Sequence, residues 1–380
     1  MSLSFPRHLR FAVLAATLVA AGCQSLPTAV APQASAPILR QDAFTGVYEV
    51  APTADGQSVF VADITGFDAK NGGFVHRLDP RTLQIQQTVQ LPRRSFALGM
   101  NHRTQTLYAG NTMEGSISVI DATSGLVQAT IQMATPRKND KGEEVTPHTR
   151  KVIVDEKNDR VFVTSPGRPG LVWIVDGKTR TLTHTITSDG IWTAGGAYDA
   201  QRNRLYVGQG GVDEILAIDP DAGKVVGRFS TGETKDNKDS KHFFINLALD
   251  AQGQRLFAVD PNTNRVYVAD IASGRFVREV PVDGVGLLDI VYNTQRREFV
   301  VSHRGVNNSN PQGSGGVTVF DADSFAVKRR LDLPVHPNSL ALSPDGQTLY
   351  VTVKAPHGDK HPAYRKDARD SVVRIDLRGG

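Results

Sequence analysis

Leu205-Tyr206-Val207-Gly208 is one copy of a short hydrophobic motif, in which an aromatic residue runs into Val or Ala and small residues. The other copies are Val59-Phe60-Val61-Ala62, Leu107-Tyr108-Ala109-Gly110, Val161-Phe162-Val163-Thr164, Leu256-Phe257-Ala258-Val259, Glu298-Phe299-Val300-Val301 and Leu349-Tyr350-Val351-Thr352. Each is followed, after a loop of variable length, by a second apolar segment that ends in Asp. Repeated four-stranded units at a period of about 40–50 residues are typical of β-propellers. The sequence therefore predicts an all-β fold, a seven-bladed β-propeller with four-stranded antiparallel blades.

The last repeat unit contains only three strand segments, at Ser339–Ser343, Thr348–Lys354 and Ser371–Leu377. A blade with a missing strand would leave an edge unpaired. The segment Ile38–Phe44 precedes the first inner strand, Val47–Thr53, and can supply that strand. We therefore expect an N-terminal strand to complete the last blade and close the ring.

The amino terminus has the features of a targeting segment. Arg7 and Arg10 form a positive region, and Phe11–Ala21 is a short apolar stretch. It ends in Val19-Ala20-Ala21-Gly22-Cys23, which resembles a bacterial lipobox and predicts lipidation of Cys23, the single cysteine of the chain. The alternative is an ordinary signal peptide with a chance cysteine. We expect a lipoprotein signal peptide at 1–22, a lipidated Cys23 with a flexible tether at 23–37, and the propeller at 38–380.

The residue after Cys23 predicts the location. Gln24 stands where lipoproteins retained in the inner membrane usually carry Asp, so we expect a periplasmic protein attached to the outer membrane through its lipid. One cysteine excludes an intramolecular disulfide. Residues 24–37 are rich in Pro, Ala and Ser and contain too few large apolar groups to fold. We expect a monomer.

The residues that recur with the repeat have structural explanations. The aromatic residue of each motif is expected to pack between adjacent blades. Asp favours turns in which its side chain accepts a backbone hydrogen bond, so the recurring acidic residues are expected to start turns. These residues are Asp79, Asp121, Asp176, Asp219, Asp270, Asp321 and Asp376.

The long insertions all belong to loops that a propeller gathers on one face of the ring. They are Ile64–Gly73, Met133–Arg150, Ser230–Ile245, Ser302–Gly316 and Lys354–Asp370. Long loops on a rigid scaffold usually carry function. The net charge of this face is about +2 and that of the short-turn face about −7. The electrostatic field of the protein therefore favours an anionic ligand at the long loops. A merely solvated loop face is the alternative interpretation.

Four histidines lie before or beside channel-lining strands on the long-loop face: His148, His242, His303 and His336. Histidine is the commonest metal ligand, so a metal at the channel mouth is one hypothesis. No two of these histidines have ligand spacing on one element, and no carboxylate recurs with them. Phosphate contacts and loop-anchoring hydrogen bonds are the alternatives, and the sequence names no metal ligand and no cofactor.

Aromatic residues accompany basic groups on the same face. Trp192, Phe243 and Tyr364 lie in its loops. Proteins commonly bind single-stranded nucleic acid by stacking its bases on aromatic rings that Lys and Arg flank. Trp192 and Phe243 could equally close the channel mouth. No familiar catalytic motif is present, so the sequence predicts no catalytic residue, although channel-lining residues from several blades leave catalysis open.

Several segments resemble the YncE-type periplasmic propellers of the YVTN-repeat family. They are Gly73–Pro80, Gln105–Thr112, His242-Phe243-Phe244-Ile245-Asn246, Ser302-His303-Arg304 and His336–Ser343. The resemblance implies a seven-bladed propeller without known enzymatic activity, in a group associated with binding DNA, especially single strands, at the loop face. The lipobox and the loops Ile64–Gly73, Ser302–Gly316 and Lys354–Asp370 depart from the family pattern.

The main hypothesis is a non-catalytic envelope binding protein that holds single-stranded DNA or another extended anion on its long-loop face. The predicted ligand-binding residues are Lys241, His242, His303, Arg304 and Lys354 for phosphates, Trp192 and Phe243 for stacking, and His336 and Asn338 beside them. A scaffold for envelope proteins or peptidoglycan is the second hypothesis. A metal or enzyme site at the channel mouth is the third.

Overall fold

A computed structural model describes residues 38–66, 72–139, 141–356 and 358–378. The expected signal peptide, Cys23 and the tether lie outside the described residues, as does part of the loop Ile64–Gly73. Within the described parts of the chain, helix is limited to one short 3-10 turn at Asn237–Asp239. Within these described residues, no helix has the length and the apolar character needed to span a membrane.

The strands form seven four-stranded antiparallel sheets in the described residues, and a small additional hairpin lies between the second and third sheets. The first strand and those of blades 1 and 2 are β1 (Ile38–Phe44), β2 (Val47–Pro52), β3 (Val59–Ile64), β4 (Gly73–Leu78), β5 (Ile85–Leu91), β6 (Ser95–Asn101), β7 (Thr106–Asn111), β8 (Ser116–Asp121) and β9 (Val127–Gln132). The additional hairpin and blades 3 and 4 are β10 (Arg137–Lys138), β11 (Glu144–Val145), β12 (Val152–Asp155), β13 (Arg160–Ser165), β14 (Gly170–Asp176), β15 (Thr181–Ser188), β16 (Trp192–Asp199), β17 (Arg204–Gly210), β18 (Ile215–Asp219) and β19 (Lys224–Phe229). Blades 5 to 7 are β20 (Asn246–Asp250), β21 (Arg255–Asp260), β22 (Arg265–Asp270), β23 (Arg275–Pro281), β24 (Leu287–Asn293), β25 (Glu298–His303), β26 (Gly315–Asp321), β27 (Val327–Leu333), β28 (Pro337–Leu342), β29 (Thr348–Val353) and β30 (Asp370–Asp376).

The innermost strand of each blade contacts the innermost strand of the next. These strands are β2, β6, β12, β16, β20, β24 and β28, and the series returns to β2. These seven inner strands therefore surround a central channel. The predicted seven-bladed propeller is confirmed.

The ring closes as the sequence predicts. β1 is the outer strand of blade 7 and pairs with β30, with Ile38 opposite Ile375. Asp370 reinforces the junction, because its carboxylate accepts hydrogen bonds from the Val47 N–H at 3.0 Å and the Ala355 N–H at 2.7 Å. The Asp370 side chain thus anchors both the start of blade 1 and the loop that leads into β30.

The aromatic residues of the repeated motif pack between blades. Phe257 of blade 5 stacks on Phe299 of blade 6 with ring centroids 4.9 Å apart, and both side chains are fully buried. Phe299 stacks in turn on Phe320 of its own blade at 4.8 Å. Burial of such rings provides much of the hydrophobic free energy of folding, since each removes a large apolar area from water. The expected structural role of these aromatic residues is confirmed.

The recurring Asp residues start turns. Asp121 shows the pattern, because one of its carboxylate oxygens accepts the N–H groups of Thr123 at 3.0 Å and Ser124 at 2.7 Å. These bonds favour the charged carboxylate and hold the pKa of Asp121 below its usual value. Equivalent backbone bonds occur at Asp79, Asp176, Asp219, Asp270, Asp321 and Asp376. The prediction that they are turn formers is confirmed.

Candidate binding site at the channel mouth

A cavity of about 300 Å³ lies at the end of the channel where the inner strands begin. Every blade contributes to it from the start of its inner strand or the residues just before: Tyr48, Phe96, Arg150, Trp192, Asn246, Asp289 and Asn338. The alternation of a β-strand turns every second side chain toward the channel. The cavity is therefore a product of ring closure and belongs to no single blade.

One wall of the cavity is aromatic. The rings of Tyr48 and Phe96 stack with centroids 3.9 Å apart and planes 4° from parallel. Across the mouth, Trp192 is 37% exposed and lies 6.2 Å from the ring of Phe243. The exposed ring of Trp192 gives the mouth a flat apolar surface that a planar group can contact.

The charged groups of the channel neutralise one another. The buried Glu49 carboxylate accepts hydrogen bonds from the Leu98 N–H at 3.0 Å and from the Lys151 ammonium at 2.9 Å, and Arg150 lies 3.6 Å away. Burial lowers the pKa of Lys151, but Glu49 and Asp289 outweigh it, and the pKa is raised. Lys151 is therefore charged. The carboxylates of Glu49 and Asp289 therefore both have intramolecular partners.

A second cavity, of about 520 Å³, continues from the first and lies between the hairpin β10–β11 and the loop before β14. His148, Pro166 and Trp192 line both cavities. Burial lowers the pKa of His148, so its imidazole is neutral near pH 7. The Trp192 ring therefore lies between the channel mouth and this outer groove.

The outer groove is basic. Arg137, Lys138 and Arg168 line it, and none of them forms a salt bridge with a described residue. Arg137 donates a hydrogen bond to the Pro169 carbonyl at 3.0 Å, and Lys138 is exposed opposite Glu144 in the hairpin. We name this cavity the basic groove. Its cations are available to an anionic ligand.

Two of the side chains predicted to contact phosphate have intramolecular partners. The Lys241 ammonium lies 2.7 Å from the Glu233 carboxylate. The ring of His242 is fully buried, stacks on Phe244 at 5.3 Å and donates from Nδ1 to Asp260 at 3.0 Å. The structure therefore uses His242 to anchor the loop Ser230–Ile245 and does not offer its ring to an external phosphate.

Lys354 and His303 are also held inside the fold. The Lys354 ammonium lies 3.4 Å from Asp370 and 3.6 Å from the centre of the Tyr48 ring, and burial lowers its pKa. His303 is packed between Gly284 and Gly316, and burial lowers its pKa as well. Both side chains are partly buried.

The remaining predicted residues divide between two places. Asn338 lines the channel-mouth cavity and donates to the Tyr48 carbonyl at 3.3 Å, and Trp192 and Phe243 lie together at the same mouth. Arg304 and His336 line a different groove. The nine predicted ligand-binding residues thus do not form one site.

The histidines do not form a recognisable metal centre in the described residues, where no three His, Cys, Asp or Glu side chains are placed to hold one ion. His148 lies at the channel mouth, whereas His336 lines the other groove.

Several residues that line the channel mouth and the basic groove were not among the predicted site residues, including Tyr48, Phe96, Arg137, Lys138 and Arg168. Arg137 and Lys138 lie in the long loop Met133–Arg150, so loop length was a usable signal for them, whereas Arg168 lies in the short connection between β13 and β14. Nothing in the sequence shows that Tyr48 and Phe96, from different blades, stack.

Comparison with known proteins places the chain in a family. YncE of Salmonella typhi is 33% identical over 373 residues, which cover 98% of this chain and 98% of that protein. This chain belongs to the YncE family. YncE of Escherichia coli K12 is 32% identical, with 98% of this chain and 99% of the relative covered. A family model described as outer membrane protein assembly factor BamB matches residues 10–207.

Solved structures confirm the propeller architecture. The RRP9 WD40 repeats superpose with a TM-score of 0.65 at 12% identity, covering 91% of this chain and 98% of that one. U3-55K superposes with a TM-score of 0.67 at 12% identity, covering 91% of this chain and all of that one. At this identity the likeness concerns the fold alone. Membership in the YncE family and the propeller fold indicate a scaffold for interactions.

Proposed function

We propose that this YncE-family propeller is a non-catalytic binding protein for an extended anion that carries planar groups, with single-stranded DNA as the ligand class that fits best. The position of Trp192 carries the proposal. Its half-exposed ring forms a wall of both the channel-mouth cavity and the basic groove. Stacking surfaces beside a cationic track are the arrangement that single-stranded nucleic acid requires.

The ligand would lie across the face in two parts. Planar bases would contact Trp192 at the mouth, and the phosphates would follow Arg137, Lys138 and Arg168 along the basic groove. This assignment moves the phosphate contacts away from Lys241, His242 and Lys354, because those side chains already have internal partners. Trp192 and Phe243 keep the stacking role that the sequence suggests.

The proposal includes an envelope location. A lipid on Cys23 would attach the chain to the periplasmic face of the outer membrane, and residues 24–37 would separate the propeller from the lipid surface. Under that arrangement a ligand reaches the channel mouth from the periplasm.

Fluorescence anisotropy with a labelled single-stranded oligonucleotide tests the function. We expect the purified full-length chain to bind, with an affinity that falls steeply as salt rises because phosphate contacts release counterions. Trp192→Ala should weaken binding about tenfold, since stacking contributes about 1–3 kcal/mol per base. Lys138→Gln should weaken binding and lower the salt slope by about one phosphate contact.

Two control variants lie away from the site. Leu126→Ala removes an apolar side chain that is 65% exposed at the start of β9, and Lys178→Gln removes an exposed cation from the turn before β15. Both should bind like the wild type. Absence of binding at low salt, or equal affinities for Trp192→Ala and the wild type, would exclude this function and favour an envelope protein or peptidoglycan as the partner.

A further inference from the structure

A separate groove of about 480 Å³ lies between the long loops of blades 6 and 7, Ser302–Gly316 and Lys354–Asp370. It shares no lining residue with the channel-mouth cavity or the basic groove. Arg304, directly after β25, and His336, directly before β28, line it. We name this cavity the Arg304 groove.

Hydrogen bonds hold the walls of the Arg304 groove in place. The buried His361 donates from Nε2 to the Gly313 carbonyl at 3.0 Å, which ties one loop to the other, and its Nδ1 accepts the Ala363 N–H at 3.1 Å. At the base of the groove the His336 N–H donates to the Arg304 carbonyl at 3.0 Å. Because these bonds join the two loops, the groove exists without a ligand.

Arg304 has no acidic partner among the described residues. Its side chain passes over Gly286, and its Nε is buried without a hydrogen-bond partner among the described residues. The one acidic side chain that lines the groove, Asp359, is exposed, forms no salt bridge with Arg304 in the described structure, and is followed by the equally exposed Lys360. A partly buried guanidinium without a counter-charge is costly, and a bound oxyanion would satisfy it.

Other partly buried arginines of the fold show the contrast. Arg160 lies against Asp155 at 2.7 Å, and Arg255 lies against Asp250 at 2.6 Å. Those two arginines join turns to neighbouring blades. Arg304 is also partly buried, but it lines a cavity and forms no salt bridge with a described residue, so its guanidinium is available to a bound oxyanion.

The rest of the groove is largely apolar. Val306, Pro311, Val335 and Pro356 line it beside Arg304. We infer that the Arg304 groove binds a small organic anion, with a carboxylate or phosphate on the guanidinium and an apolar body against these four side chains. A guanidinium fork matches either oxyanion in a bidentate geometry, so the two head groups share one recognition chemistry.

Saturation-transfer NMR on the full-length chain tests the inference with four probes. Benzoate and phenyl phosphate carry both parts of the ligand, and benzamide is the neutral counterpart of benzoate. Inorganic phosphate has no apolar body and no carbon-bound protons, so its binding is measured by its displacement of benzoate. Ligand efficiency for a molecule of this size predicts dissociation constants up to about 10 mM. We expect benzoate and phenyl phosphate to bind, and benzamide and inorganic phosphate to bind at least about tenfold more weakly. The tighter binder of the two aromatic anions identifies the preferred head group.

Variants connect the binding to Arg304. Arg304→Gln should weaken benzoate binding about tenfold or more, and Arg304→Lys should lie between the two. Arg365→Gln is the matched control and should bind like the wild type, because Arg365 is an exposed arginine of the neighbouring loop Lys354–Asp370 whose hydrogen bonds in the described structure go to backbone carbonyls. Circular dichroism and the Tm of each variant show that it is folded.

Three results would overturn the site: no binding of either aromatic anion at about 10 mM, equal binding of benzamide and benzoate, or unchanged benzoate binding in folded Arg304→Gln. The outcome is independent of the proposed nucleic-acid function, because Trp192→Ala should leave benzoate binding unchanged.

Discussion

At the scale of single residues, His242 shows how a side chain that looks like a ligand contact can serve the fold. Its ring lies 3.0 Å from Asp260, and its other nitrogen faces Glu233 at 3.7 Å and Asp213 at 3.9 Å. Burial lowers the pKa of His242, but the hydrogen bond to Asp260 and the charges of Asp213 and Glu233 outweigh it, so the pKa is raised above 6.5. The ring therefore joins the loop Ser230–Ile245 to blades 4 and 5, and these contacts favour its protonated form.

This raised pKa predicts a pH dependence of stability. Because protonation favours the folded state, the contribution of His242 is fully present below about pH 6.5 and is lost as pH rises through the higher folded pKa. His242→Gln can keep a hydrogen bond to Asp260 but cannot titrate. Urea unfolding at a series of pH values should show the stability advantage of the wild type over this variant falling from acidic to alkaline pH. An advantage that stays constant or grows with pH would contradict the assignment.

At the scale of elements, β1 is the strand that closes the ring. Its last residue, Phe44, is fully buried beside Val47 of blade 1 and Val372 of blade 7, whereas Leu39, the second residue of the strand, is 37% exposed. Phe44→Ala should lower the free energy of unfolding by about 3 kcal/mol or more, because it leaves a cavity at the junction of the two blades. Leu39→Ala on the same strand is the control and should cost less than about 1 kcal/mol.

Chemical denaturation of the full-length chain measures both effects. A loss in Phe44→Ala no larger than that of Leu39→Ala would mean that β1 contributes little to closure.

The elements of the fold could be predicted from the sequence because each has a local cause. The Asp of each turn bonds to backbone only two or three residues ahead, and the three-strand last unit requires a partner for β30. The site could not be predicted to the same depth. Tyr48 and Phe96 come from different blades, and Lys354 is neutralised by Asp370 from the far end of its own loop. Such partners are brought together by ring closure and loop conformation, which no local pattern in the sequence encodes.

At the scale of the whole molecule, a charge network spans the channel. Lys151 of blade 3 donates to Glu49 of blade 1 at 2.9 Å, and Asp289 of blade 6 also raises its pKa, although burial opposes this. Asp289 in turn accepts the Leu340 N–H of blade 7 at 2.9 Å. Inner strands from opposite sides of the ring are therefore coupled through one ammonium group.

A double-mutant cycle measures this coupling. Glu49→Gln should lower the free energy of unfolding by about 3 kcal/mol, because it leaves the Lys151 charge in the channel with a weaker counter-charge. Lys151→Met in that background should recover part of the loss, since the unpaired cation is then gone, while a glutamine oxygen can still accept the Leu98 N–H. Denaturant midpoints of the wild type, the two single variants and the double variant give the interaction energy. Strictly additive losses would mean that the blades are held by their apolar faces alone and that the channel charges act independently.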